Sequence, residues 1–207
     1  MKRVVLCVLL LLALGLSPAC QSTSKDSSGP YSMQEGTVRE TARAERLTKE
    51  AADLMAANPA KAELLLREAL DADLFFGPAH NNLGVLFLKR DYLYEAANEF
   101  EWARKLMPGH PDPRFNLAMT LEQAGQVDEA LASYSAALEV YDGFLPAIQG
   151  LASLTLKSGR GDERMREWLE QIALRSTDPS WTTWAKHQVQ MTIHRRAPEP
   201  DSRGGSY

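Results

Sequence analysis

Residues 77–110 read GPAHNNLGVLFLKRDYLYEAANEFEWARKLMPGH and residues 111–144 read PDPRFNLAMTLEQAGQVDEALASYSAALEVYDGF. The second stretch restates the first. Leu83-Gly84 returns 34 residues later as Leu117-Ala118, Ala96 as Ala130, Phe100 as Tyr134 and Ala103 as Ala137. Large and small apolar residues at fixed offsets over that period predict stacked helix-turn-helix units, not one compact core.

The offsets have a physical reading. Leu83, Phe87 and Leu88 share one face of a helix, and Ala96, Phe100, Ala103 and Leu106 share one face of the next. Asp91 and Tyr92 stand between the two helices; in the second copy Gly125 takes the place of Asp91, as suits a helix end that needs a left-handed residue. Gly84 and Ala118 are small where the partner helix must come close, and Ala96, Ala103, Ala130 and Ala137 do the same from the other side. Pro108 cannot continue a helix and closes the first copy. A single hairpin buries too few apolar side chains to offset about 1–2 kcal/mol of backbone entropy per ordered residue. Neighbouring hairpins must therefore share buried faces.

These residues resemble the tetratricopeptide repeat. Leu83, Gly84, Phe87, Ala96, Phe100, Ala103 and Pro108 supply its pattern once. Leu117, Ala118, Leu121, Gly125, Ala130, Tyr134 and Ala137 supply it again, with Asp142 where the proline is expected. The resemblance implies an all-α, right-handed superhelical solenoid of three to four helical hairpins with a concave inner side. The flanks fit as weaker units. Residues 43–76 read as a degenerate first repeat: Leu47, Ala51, Leu54 and Met55 form one stripe, and Ala62, Leu65, Leu66, Ala69 and Leu70 form another. Its turn is about one residue short, and Lys49 and Glu50 surround the expected Leu-Gly site. Residues 145–176 read as a fourth repeat. Leu151-Ala152, Leu154, Thr155, Gly159 and Trp168 are in place, but Arg164 and Gln171 replace alanines, so a wider crossing or a shifted register is expected. Residues 177–194, opening on Asp178-Pro179 with Trp181, Trp184, Ala185, Gln188 and Val189 at helical spacing, predict a capping helix. Residues 195–207 are rich in Pro, Gly, Ser and charge and read as a disordered tail.

The N-terminus carries a different message. Lys2 and Arg3 precede an apolar run from Val4 to Leu16, shorter than the roughly 20 residues needed to span a bilayer. Residues 1–19 therefore read as a secretory signal peptide. Ala19-Cys20 further resembles a bacterial lipoprotein signal, which implies lipidation of Cys20, although Leu16 lies four places before the cysteine instead of three. Ordinary cleavage and an uncleaved anchor are the competing readings. After cleavage Cys20 would be the only cysteine, and a lipid would account for the lone thiol. Residues 20–42 then form the lipidated cysteine and a flexible polar tether. By the same resemblance Gln21, which is not the aspartate of inner-membrane retention, favours an exported protein anchored in the outer membrane and facing the periplasm.

Composition narrows the function. The 207 residues are 44% hydrophobic with a formal net charge of −4. Loss of residues 1–19 would remove Lys2 and Arg3 and no acidic residue, which makes the balance more negative and gives no reason to expect nucleic-acid binding. No catalytic constellation emerges from the scattered His80, His110, His187 and His194. His187 and His194 lie seven apart on one helix face but lack companion ligands, so neither a metal nor a cofactor is expected.

The family resemblance places the partner-binding groove on the first helix of each hairpin. It maps to Asn81, Asn82, Val85, Leu88 and Lys89, then to Asp112, Phe115, Asn116, Met119, Glu122 and Gln123, then to Gln149, Ser153, Leu156 and Lys157. The asparagines could bond a peptide backbone, or could only solvate their helices. Phe115, Met119, Val85 and Leu88 could take its apolar side chains, or Phe115 or Met119 could complete the core. Of the family's carboxylate clamp only Asn82 matches, and Asp112 and Asn116 stand where basic groups are required, so acidic C-termini are not the expected ligand. The sequence thus points to a non-catalytic adaptor that binds a protein or peptide and is held to the membrane by an N-terminal lipid. Its expected setting is the assembly of an envelope or pilus complex. The alternatives are an accessory subunit of an envelope enzyme such as a peptidoglycan-processing one, and a structural homo-oligomer paired through the groove or the Trp181-Trp184 end.

Overall fold

The computed structural model describes residues 39–161 and 164–196. The expected signal peptide, Cys20 and most of the stretch read as tether lie outside them, as does the expected tail beyond Arg196. The described residues form nine helices and no strand: α1 (Thr41–Leu54), α2 (Pro59–Ala72), α3 (Gly77–Lys89), α4 (Leu93–Leu106), α5 (Asp112–Gln123), α6 (Val127–Val140), α7 (Leu145–Lys157), α8 (Met165–Arg175) and α9 (Pro179–Arg196).

Each helix packs on the next in sequence, and the first helices of successive hairpins, α1, α3, α5 and α7, also touch in order. This is a helical-repeat solenoid. Its turns follow one rule. Asp91, Gly125 and Gly159, each 34 residues apart, all have positive φ, at 64°, 76° and 71°. The left-handed residue lets the chain leave one helix and enter the next, and it comes without strain only at the two glycines. At α2 the start is set by Asn58, whose side chain accepts the backbone N–H of Lys61 at 3.1 Å ahead of Pro59.

Close approach is visible in distances. A Cβ at Gly84 would sit 2.7 Å from the Phe100 ring. Ala96, Phe100 and Ala103 of α4 and Ala130, Tyr134 and Ala137 of α6 are buried as the repeat pattern requires.

The two degenerate repeats depart from the register of the two clear copies. In the first, Lys49 and Glu50 are exposed, while Thr48 and Ala51 are buried. Ala51 precedes Ala62 by 11 residues where Gly84 precedes Ala96 by 12, so the shorter turn moves the small contact residue by one. In the fourth, the buried stripe of α8 is Met165, Leu169 and Ile172, one residue later than the repeat offset predicts. A one-residue shift turns the helix by about 100°. It leaves Arg164 and Gln171 off the core and buries large aliphatics instead.

The first helix begins at Thr41, inside the stretch read as tether. Asp73 is the reason. Its side chain, buried in the α2–α3 turn, accepts from Arg39 Nε at 2.8 Å, Arg39 Nη2 at 3.1 Å, Thr41 Oγ1 at 2.7 Å and the Phe75 backbone N–H at 3.1 Å. The Arg39 guanidinium also lies 5.5 Å above the Phe75 ring. Residues 39–41 are thereby fixed to the second turn of the array.

Candidate functional site

A groove of about 600 Å³ opens between α5 and α7. Its lining comes from both first helices, from Tyr134 of α6 and from Trp181 of α9. Phe115 forms one apolar wall, 5.9 Å from Tyr134 and 5.7 Å from Phe144 in an edge-on contact. Met119, 40% exposed, stands at its mouth. Trp181 closes the far side and is held edge-on to Trp184 at 5.2 Å. Gly150 is small of necessity here, because a Cβ would meet the Tyr134 ring at 2.5 Å.

The polar groups are arranged around that apolar floor. Tyr134 donates its hydroxyl to Glu122 Oε2 at 2.9 Å, and Lys157 Nζ donates to Glu122 Oε1 at 3.2 Å. Burial raises the Tyr134 phenol well above its ordinary range, and its bond to Glu122 and the carboxylate charge push the same way. The phenol stays a neutral donor and the Glu122 charge is offset by Lys157. Gln149 donates to Ser176 Oγ at 3.4 Å, and Gln123 donates to Asp91 at 2.8 Å, tying α5 to the α3–α4 turn.

Farther along the wall, Asn116 donates its amide to Asn81 Oδ1 at 3.0 Å, and Asn81 donates to Asn82 Oδ1 at 3.5 Å. The relay has a direction. Asn82 presents N–H groups at one end and Asn116 presents Oδ1 at the other.

Of the residues expected in the groove, the structure brings Phe115, Met119, Glu122, Gln123, Gln149, Ser153 and Lys157 to one cavity. Asn81, Asn82, Val85 and Leu88 are half-buried on α3, Lys89 is exposed in its last turn and Asp112 is exposed in the first turn of α5. Leu156 packs toward the α7–α8–α9 core instead. Tyr134, Pro146, Gly150 and Trp181 line the cavity without having been expected there. The signal for Trp181 was present in the amphipathic start of α9, but the helix reads alone as a cap.

His80, one of the four scattered histidines, lies in the core. It is fully buried, with Nδ1 2.7 Å from Glu99 Oε2, Nε2 2.9 Å from the Leu74 carbonyl, and its ring stacked on Trp102 at 5.6 Å and 12°. His187 is exposed, and the side chain of His194 lies outside the described residues. Among the described residues no group of three or more His, Cys, Asp or Glu could hold a metal. No described helix is long and apolar enough to cross a membrane.

Stacked hairpins with an inner wall of first helices define the class as a tetratricopeptide-like helical solenoid. A tetratricopeptide repeat model matches residues 93–155, from α4 into α7. Pseudomonas aeruginosa pilF shares the fold at a TM-score of 0.67 and 17% identity, over 76% of this chain and 72% of that one. A mutant O-GlcNAc transferase from Thermobaculum terrenum matches at 0.61 and 26% identity, over 69% of this chain and 28% of that enzyme. The first tetratricopeptide domain of Spaghetti (RPAP3), bound to the HSP90 peptide SRMEEVD, matches at 0.57 and 14% identity, over 60% and 99%. No curated protein matches the chain. Tetratricopeptide-repeat proteins generally mediate protein–protein contacts, and these neighbours include both a peptide binder and an enzyme.

Proposed function

We propose that the chain is a non-catalytic adaptor, anchored at the bacterial envelope through a lipid on Cys20, that holds an extended segment of a partner protein in the α5–α7 groove during assembly of an envelope complex. The groove itself carries this reading. An apolar floor of Phe115, Met119 and Trp181 beside the amides of Gln123 and Gln149 is suited to a large apolar side chain flanked by peptide backbone. The N–H groups of Asn82 and Oδ1 of Asn116 offer a donor and an acceptor to the same backbone. Glu122 is already met by Tyr134 and Lys157, and Asp112 is exposed where a carboxylate would approach. A ligand of the SRMEEVD kind, with its acidic end, does not suit that wall. The anchor rests on the Lys2-to-Cys20 sequence pattern and the outer-membrane setting on Gln21.

A photo-crosslinking amino acid at Met119 in the native cell tests the groove. It should capture a discrete partner, and capture should fall at least tenfold in Asn82→Ala with Gln149→Ala. Capture unchanged by that pair, or none at Met119, rejects the groove. Separately, Cys20→Ser should release the protein from membranes and abolish palmitate labelling.

A further inference from the structure

Asp91 stands where the fold asks for glycine. After the first helix of three successive hairpins, Asp91, Gly125 and Gly159 share a positive φ, at 64°, 76° and 71°. The same backbone bonds close each turn. Asp91 N–H donates to the Leu88 carbonyl at 3.0 Å and Tyr92 N–H to that of Phe87 at 3.0 Å, and Gly125 with Gln126, then Gly159 with Arg160, repeat the pattern. The turn therefore needs no side chain here. A residue with a Cβ holds the left-handed conformation less readily than glycine, so Asp91 carries a conformational cost that its two counterparts avoid.

Its carboxylate does not cap the helix that follows, because α4 starts from Tyr92 with no side-chain cap. Among the described residues the carboxylate's hydrogen-bond partner is Gln123, whose Nε2 donates to Asp91 Oδ1 at 2.8 Å from the next hairpin. Both residues are exposed, where such a contact adds little to stability but still sets a direction. A carboxylate only accepts. The nitrogen of the Gln123 amide is thus turned to Asp91, and Oε1 is left for another donor. Gln123 lines the α5–α7 groove.

The next repeat shows when the aspartate is dispensable. Lys157 takes in α7 the place of Gln123 in α5, and it donates to Glu122 at 3.2 Å. Gly125, the counterpart of Asp91, has no side chain to offer and none is needed. One repeat earlier, the residue in the place of Glu122 is Leu88, which offers Gln123 no acceptor. The turn carries an acid where the groove residue lacks another partner and a glycine where it has one.

We propose that Asp91 is a positioning residue for the partner site. It is kept in a left-handed turn, at a cost to stability, because it holds the Gln123 amide with Oε1 available to a backbone N–H of the segment bound in the α5–α7 groove. This rests on the adaptor reading above and adds to it the orientation of one groove contact.

Photo-crosslinking from Met119 in the native cell, paired with urea unfolding of the same full-length variants, tests this. Asp91→Gly should keep or raise the urea midpoint, since the turn sheds its cost, while capture falls about threefold or more, the loss of one net hydrogen bond. Asp91→Asn suits a left-handed turn and still offers Oδ1 to Gln123, so it should keep most of the capture. Gln123→Ala should lower capture as Asp91→Gly does, and the two together should lower it no further. Capture unchanged in Asp91→Gly overturns the proposal. So does capture that falls together with the urea midpoint, which makes Asp91 a structural residue. A further loss on adding Asp91→Gly to Gln123→Ala, or a full loss in Asp91→Asn, puts the carboxylate itself against the partner and also overturns it. No capture from Met119 with Asp91 and Gln123 intact overturns the adaptor reading and this proposal with it, and that control separates the two failures.

Discussion

Asn116 gives its side-chain amide to Asn81 at 3.0 Å, joining the first helices of two successive hairpins. The bond holds the inner wall in register and orients the Asn82 end of the relay. Asn81→Ala and Asn116→Ala are each expected to cost about 0.5–1.5 kcal/mol. Together they should cost less than the sum, because the second change removes a group already without its partner. A urea-unfolding cycle reads this, and additive losses would mean that the two amides act independently.

The latch at Asp73 predicts an acid sensitivity. Burial alone would raise its carboxyl, but hydrogen bonds from Arg39, Thr41 and the Phe75 N–H, with the Arg39 charge, hold it below the ordinary value of 3.8. A carboxyl lowered by folding adds stability that is present above its unfolded value and lost as pH falls through its folded one. Stability should therefore drop as pH falls below about 4, and this drop should be shallower in Asp73→Asn. The variant should also be about 1–3 kcal/mol less stable at neutral pH. Equal acid slopes in the two proteins would remove Asp73 as the cause.

Much of this was legible in the sequence, and what was not has a common origin. The 34-residue offsets locate Ala96, Phe100, Ala130 and Tyr134 in the core because one helix period repeats against one partner. The short turn before α2, and Arg164 and Gln171 in α8, signalled a departure from the consensus, but which stripes of α1 and α8 are buried was not legible at that level. There the consensus residues are absent, and local packing chooses between adjacent stripes that both contain apolar side chains, as with Trp168 and Leu169. The first-helix positions of the groove were implied by the family resemblance, but Trp181 was not, because it reaches the cavity from a helix outside the repeat. His80 and Glu99 are 19 residues apart on different helices, and a polar pair in a core has no periodic signature.

Tyr134 links the core to the groove, and its hydroxyl gives a test at the alkaline end. Its phenol is raised above the ordinary value of 10.0 by burial, by the bond to Glu122 and by that residue's charge. The folded state therefore keeps a proton that the unfolded chain releases, so the contribution is whole below about pH 10 and declines above it. Absorbance titration should show one tyrosine that resists ionisation until unfolding. Tyr134→Phe should remove that tyrosine from the count and lessen the loss of stability above pH 10. A normal titration of every tyrosine would disprove the buried donor.

The pair of His80 and Glu99 gives the sharpest stability prediction. A carbonyl only accepts hydrogen bonds, so the contact from Nε2 to Leu74 requires the hydrogen on that nitrogen. The proton between Nδ1 and the Glu99 carboxylate then completes the cluster whichever atom holds it. Removing one partner from a buried charged or proton-sharing pair costs about 3–5 kcal/mol, whereas replacing both with apolar groups is often close to neutral. His80→Phe keeps a ring to stack on Trp102, so its cost reports the lost polar contact. It should lower stability by several kcal/mol, and adding Glu99→Leu should recover most of the loss. If the double variant is instead less stable than either single one, the pair contributes through packing and not through its shared proton.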